Sequence, residues 1–123
     1  MKVEGVDFAT VFVDDYPAAV EFYGGVLGLE QSAEYGKTPG GEFETGSLTL
    51  QVMDAEAIGQ RFQPRNHPIA LHVDDVEAAR GELEGKGVSF QGQTIDSGVC
   101  HMALFSDPAG NLLMFHKRYA PRE

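Results

Sequence analysis

The 123-residue chain has a single cysteine, Cys100, so no disulfide can form within it, and a reducing cytoplasm is the expected compartment. Long apolar runs are missing. Stretches such as Val11-Phe12-Val13 and Leu112-Leu113-Met114-Phe115 fall far short of the ~20 residues that cross a bilayer. The first residues, Met1-Lys2-Val3-Glu4-Gly5, carry one positive side chain and no apolar segment, which argues against a secretory signal. Positive charge is scarce: nine Lys and Arg face nineteen Asp and Glu, for a formal net charge of −10. Lys117-Arg118 is the only adjacent basic pair, so there is no basic stripe, and neither nucleic acid nor an anionic membrane is an expected partner. The acidity serves solubility and favours neutral or cationic small molecules over anionic ones.

What is present reads as one globular domain with enough apolar residues, 42%, for a real core. An internal repeat organises it. Val13-Asp14-Asp15 recurs 60 residues later as Val73-Asp74-Asp75, and Ala18-Ala19 recurs at the same shift as Ala78-Ala79. Each copy reads as strand, cap, helix. Val6 to Val13 alternates and is rich in β-branched and aromatic residues, as a strand should be. Asp14 or Asp15 supplies the N-cap, Pro17 suits the first turn, and Ala18, Phe22 and Val26 make one apolar face that Gly24, Gly25 and Gly28 loosen and end. In the second copy Ile69 to Val73 is the strand. Asp74 with Glu77 resembles a capping box, Val76, Ala79 and Leu83 form the apolar face, and Gly85 and Gly87 close the helix.

Three strands are expected after each helix. In the first copy they are Glu30 to Tyr35, Glu42 to Thr45 and Ser47 to Asp54, with a glycine- and proline-containing turn at 36–41. In the second they are Val88 to Gln91, Val99 to Ser106 and Asn111 to Lys117, the last two joined by a tight turn through Pro108 and Gly110. The expected organisation is therefore a βαβββ module over residues 1–54, a linker at 55–66 with a short helix, a second module over 67–119, and a loose tail at 120–123.

That order, with Val13-Asp14-Asp15-Tyr16-Pro17-Ala18-Ala19-Val20-Glu21-Phe22-Tyr23 leading to Leu27-Gly28-Leu29, and with Phe105-Ser106-Asp107-Pro108-Ala109-Gly110-Asn111 at the closing hairpin, resembles the vicinal-oxygen-chelate (glyoxalase and bleomycin-resistance) superfamily. The resemblance covers nearly the whole chain. It implies an α+β fold in which two tandem βαβββ modules form a cup-shaped open β-barrel with helices outside, usually in a homodimer. It does not imply one function, because the superfamily includes isomerases, dioxygenases, epoxide-opening resistance enzymes and metal-free drug-binding proteins.

Many members hold a divalent metal with His or Gln on a module's first strand and Glu on its last. Counting from the shared motifs, these positions fall on Phe8, Pro68 and Met114, none of which suits such a cation. No metal and no cofactor are therefore expected. His67, one residue before Pro68, would serve only with a one-residue slip that flips the whole strand.

Strand alternation then gives the lining that the resemblance places inside the cup. It consists of Phe8, Thr10 and Phe12; Thr49 and Gln51; His72; Cys100 and Met102, with Leu104; and Met114 and His116. Val11, Val13, Leu71, Val73, Leu113 and Phe115 face the helices, and His101 faces away from the cup. No cluster of Lys or Arg falls on the lining, since Lys117 and Arg118 lie only at a strand's end. A mostly apolar cup with a few polar groups suits a small organic ligand. The leading expectation is metal-independent binding of an apolar or cationic molecule. The alternatives are an enzyme that uses His72 or His116 as a general acid–base, one with an unorthodox metal site such as His72, His101 and His116, and a scaffold whose cup its own side chains fill. Cys100 reads as an inert thiol or, with a base nearby, as a nucleophile.

Overall fold

A computed structural model describes residues 1–122; Glu123, the last residue of the expected tail, lies outside the described residues. The chain divides into two compact units, Met1–Pro64 and Arg65–Glu123. Each is one βαβββ module, so the fold is α+β with the module in tandem.

The first unit contains β1 (Phe8–Val13), α1 (Tyr16–Val20) running into a π-helical turn (Glu21–Val26), β2 (Glu30–Glu34), β3 (Gly40–Glu44), β4 (Thr49–Asp54) and a 3₁₀ turn (Glu56–Ile58). Its sheet order is β1-β4-β3-β2, with β1 parallel to β4 and the other pairs antiparallel. β1 starts two residues later than the alternation predicts. Its neighbour, β4, begins at Thr49 opposite Phe8, so among the described residues Val6 has no strand to pair with, and it stays exposed. β4 also starts late, because Thr45 to Leu48 close a turn in which Gly46 has φ +98° and the Thr45 hydroxyl accepts from the Leu48 amide at 3.0 Å.

The second unit contains β5 (Ile69–His72), α2 (Val76–Gly85), β6 (Phe90–Asp96), β7 (Cys100–Ser106) and β8 (Leu112–Arg118), in the order β5-β8-β7-β6. β6 runs five residues past its expected end at Gln91. Gly92, at φ +60°, forms part of an irregularity between Gln91 and Ile95 that lets the strand resume pairing with β7.

The caps follow the repeat. The carboxylate of Asp15 accepts from the Ala18 amide at 3.1 Å, and that of Asp75 from the Ala78 amide at 3.0 Å. The expected Asp74–Glu77 capping box does not form. Asp75 is the extended cap residue, which makes Ala78, not Glu77, the third helical residue, and alanine has no carboxylate to return the bond. α2 ends with the Gly87 amide on the Glu84 carbonyl and the Val88 amide on the Leu83 carbonyl, both at 3.0 Å, with Gly87 left-handed at φ +91°. The first helix ends on left-handed Gly28. Asp15 and Asp75 are 60 residues apart, whereas Gly28 and Gly87 are 59 apart, so the first helix carries one extra residue. The π-helical turn absorbs it: the Leu27 amide reaches back five residues to the Phe22 carbonyl, and the Leu29 amide reaches six to Tyr23.

Each sheet turns one face to its helix. In the first unit that face carries Val11, Val13, Phe43, Leu50 and Val52, buried with Phe22 and Tyr23 of the helical segment. In the second it carries Ala103, Phe105, Leu113 and Phe115 against Val76 and Leu83. Phe90, Phe105 and Phe115 cluster there with ring centroids 4.8–6.1 Å apart, and the Arg80 guanidinium lies 5.0 Å from the Phe90 centroid. Such side chains each contribute about 1.5–3 kcal/mol through burial. Burying one face leaves the residues of opposite parity on the other, and every sequence-predicted lining residue has that parity.

Candidate functional site

The open face of the first sheet is ordered in rows by the strand register. Phe8, Thr49 and Glu44 are successive neighbours across β1, β4 and β3; so are Thr10, Gln51 and Glu42, and then Phe12, Met53 and Gly40. A hydrogen-bonded relay runs along the middle row. The Thr10 hydroxyl donates to Gln51 Oε1 at 2.7 Å, Gln51 Nε2 donates to the Tyr35 hydroxyl at 3.3 Å, and Tyr35 donates to Glu42 Oε2 at 2.5 Å. In the next row, Glu44 accepts from Ser32 at 2.5 Å and from Thr49 at 2.6 Å. Thr10, Thr49 and Gln51, three of the expected lining residues, thus lie in two adjacent rows: Thr49 bonds Glu44 directly, and Thr10 and Gln51 reach Glu42 through Tyr35. Phe8 and Phe12 stand on the same face, Phe8 with nearly half its surface exposed.

Sequence reasoning missed Glu42, Glu44 and Tyr35. A signal for the glutamates existed: in Glu42-Phe43-Glu44 the aromatic residue claims the helix-facing side, so both carboxylates share the face of Thr49 and Gln51. Tyr35 offered no such signal, because it lies past the end of β2 and reaches the relay from a turn.

These contacts shift the acidities. Hydroxyl donation from Ser32 and then Thr49 holds the Glu44 carboxyl below the usual range, against a smaller upward push from burial. Burial, and then donation to Glu42, pushes the Tyr35 phenol up. The sign for Glu44 follows by linkage. A folded-state value below the unfolded one adds stability that is fully present above the unfolded value, about 4.3 for Glu, and is lost as pH falls through the depressed folded value. Replacing Ser32 with Ala and Thr49 with Val returns the Glu44 titration toward that ordinary value and removes this share of the acid dependence. Carboxyl-carbon NMR titration of the wild type and the double variant reads both effects.

The open face of the second sheet carries Ala70, Met114 and Leu104 as one row, His72, His116 and Met102 as the next, and Cys100 beside Arg118 at the end. His72 and His116 are direct partners on parallel strands. His72 is largely exposed, 3.8 Å from the Asp74 carboxylate. Arg118 departs from expectation. It has the parity of Met114 and His116, so one guanidinium does belong to the open face; β8 extends to Arg118 because Cys100 pairs with it.

His101 is on the opposite face from His72 and His116, which breaks up the three-histidine set. It lies 3.4 Å from the Asp96 carboxylate, and its ring centroid is 4.6 Å from that of Tyr119. The Tyr119 hydroxyl donates to Asp96 at 2.7 Å. The Gly98 amide and then this hydroxyl hold the Asp96 carboxyl low, and the same bond pushes the Tyr119 phenol up. Cys100 is half-buried beside this cluster.

The sequence profile of the glyoxalase/bleomycin resistance protein/dioxygenase superfamily matches residues 5–115. The chain belongs to that superfamily. Among its relatives, the uncharacterized protein YraH of Bacillus subtilis (strain 168) is 28% identical over 120 residues, covering 87% of this chain and 93% of its own. Two solved structures share the fold. One is TnmS3, an antibiotic-binding protein from Streptomyces sp. CB03234, at 24% identity and a TM-score of 0.79 over 96% of this chain and 98% of its own. The other is a lactoylglutathione lyase from Agrobacterium tumefaciens, at 19% identity and a TM-score of 0.76 over 94% and 95%. One neighbour is thus described as a binder and the other as an enzyme.

The positions that the sequence count assigns to the superfamily's divalent metal carry no ligand side chain. Phe8 begins β1, Pro68 precedes β5 and Met114 is in β8, and none offers an oxygen or imidazole donor. Among the described residues no group of three or more His, Cys, Asp or Glu stands together. His67 lies outside β5 and is exposed, with its carbonyl accepting from Arg65 Nε at 3.1 Å.

Proposed function

We propose that this superfamily member binds a small, mostly apolar or cationic organic molecule on its open sheet faces, without a metal. The observation that carries this reading is that Phe8 and Phe12 share a face with two carboxylates, Glu42 and Glu44, already oriented by Tyr35, Ser32 and Thr49. Each carboxylate keeps lone pairs for a ligand N–H, and its fixed geometry spares the ligand part of the ordering cost. Aromatic rings beside carboxylates favour an organic cation over its neutral analogue. In the second unit, Met102, Leu104 and Met114 add an adaptable apolar surface.

Titration calorimetry with an aryl-substituted quaternary ammonium and its uncharged isostere tests the reading. The expected result is micromolar binding of the cation, at least tenfold tighter than the isostere, with the preference lost in a Glu42→Gln, Glu44→Gln double variant. Flat titrations with both compounds sink it.

A second reading is favoured by the direct pairing of His72 and His116 on β5 and β8. Two neighbouring imidazoles are suited to serve as general acid and general base without a metal. Turnover unchanged in a His72→Ala, His116→Ala double variant rejects it. The proposal also includes a homodimer, a cytoplasmic location, and no part for nucleic acid or membrane. The charge of −10 supports the last of these, and among the described residues no helix is long and apolar enough to cross a membrane.

A further inference from the structure

At the carboxyl end of β8 an open groove of about 700 Å³ is lined by Val99, Arg118, Ala120, Pro121 and Arg122. It lies within the second unit. Two of the chain's nine basic residues meet in it, against a net charge of −10. Other arginines have structural partners. Arg80 bonds Glu84, Thr94 and the Gly92 carbonyl, and Arg65 bonds the His67 carbonyl. Among the described residues neither Arg118 nor Arg122 pairs with a carboxylate. Arg118 Nη2 makes one long bond, 3.3 Å, to the Pro121 carbonyl, and among the described residues the buried Arg118 Nε has no acceptor.

A buried cationic N–H without an acceptor is costly, and a structure that retains one is short of a partner there. A partner there accepts hydrogen bonds, and two guanidinium groups without a carboxylate favour one that carries negative charge. The tail is anchored for such a role: the Tyr119 and Ala120 amides both donate to the Val99 carbonyl, at 3.0 and 3.2 Å, so the chain turns at the groove and returns Arg122 to its lining.

We propose that this groove binds a small oxyanion, the carboxylate or phosphate group of a metabolite. Arg118 supplies a two-pronged contact and Arg122 a second charge. The planar guanidinium meets such a group through two parallel N–H donors. The oxyanion takes Arg118 Nη2 from the Pro121 carbonyl and gives Nε the acceptor it lacks, which shifts Pro121 and the backbone beside it. This site is separate from the carboxylate rows of the first unit and does not depend on the function proposed above.

The test is ¹⁵N NMR of the full chain, titrated with sodium phosphate and, separately, sodium succinate at constant ionic strength. The expected result is saturable shifts at the Arg118 Nε–H and at the Val99, Tyr119 and Arg122 amides. Arg118→Gln raises the apparent Kd at least tenfold, and Arg122→Gln severalfold. Saturation by phosphate alone, by succinate alone or by both identifies the group bound and supports the site. Shifts that never saturate, or a Kd unchanged in Arg118→Gln, overturn it. If Arg118→Gln does not fold, Arg122→Gln decides, because its side chain is exposed, and there an unchanged Kd overturns the proposal.

Discussion

Asp107→Ala lowers the unfolding free energy by about 3 kcal/mol, an expected loss that follows from unpaired donors. Among the described residues, Asp107 and Asn111 are the buried polar ones, 5% and 1% exposed. The Asp107 carboxylate accepts from the Ala109 amide, the Asn111 amide and Asn111 Nδ2, each at 2.9 Å. Asn111 Oδ1 in turn accepts from the Arg65 amide at 2.7 Å, and the Arg65 carbonyl accepts from the Leu112 amide at 2.8 Å. The turn between β7 and β8 therefore fastens the start of the second unit. Alanine at 107 strands three donors in a site that water reaches poorly. Asn at 107 keeps the shape but sets one amide N–H₂ against another, so a smaller loss of about 1–2 kcal/mol is expected. Urea unfolding measures both variants as midpoint shifts at constant slope. A loss below about 1 kcal/mol for the alanine variant refutes this account.

Gly41→Ala is expected to cost about 2–3 kcal/mol, or roughly 10 °C in Tm, through crowding rather than lost bonds. An added methyl at Gly41 would stand 2.6 Å from the Tyr16 hydroxyl, 2.7 Å from the Ala33 carbonyl oxygen and 2.7 Å from Gln31 Nε2. The side chains are already bonded to each other, Gln31 Nε2 donating to Tyr16 at 3.1 Å. The carbonyl belongs to β2, whose register against β3 pairs Ala33 with Glu42 and Glu34 with Gly41, so it cannot retreat without opening the ladder. Gly36→Ala is the control, since nothing lies within 4 Å of the added methyl and no positive φ opposes it. Differential scanning calorimetry of the two variants compares them. Equal melting temperatures would show that β2 yields more easily than its pairing implies.

The repeat was legible because its signals are local: an aspartate cap, a helical apolar stripe, a left-handed glycine. Strand parity was legible because Val11, Leu50, Phe43, Leu113 and Phe115 claim one face and leave Thr10, Gln51, Met114 and His116 the other. The single-residue choice between Asp74 and Asp75 was not, since either carboxylate suits a cap and only the backbone decides. The length of β6 was hidden by Gly92, which reads as a stop but serves as an irregularity inside the strand. The relay from Thr10 to Glu42 joins residues far apart in sequence through a tyrosine in a turn, and no periodicity encodes that. Arg118 looked peripheral until its pairing with Cys100 extended β8 to include it.

The π-helical turn at Glu21–Val26 works as an expansion joint. A residue added to a helix would ordinarily rotate everything after it by about 100° and drag the next strand out of place. Here the added length is taken up inside one widened turn, so the aspartate at one end and the glycine at the other stay seated as they are in the sister module. Two copies of one unit can drift apart in length at such a joint while keeping one strand order, which leaves the open faces free to diverge in chemistry: carboxylates and hydroxyls on one, imidazoles and thioethers on the other.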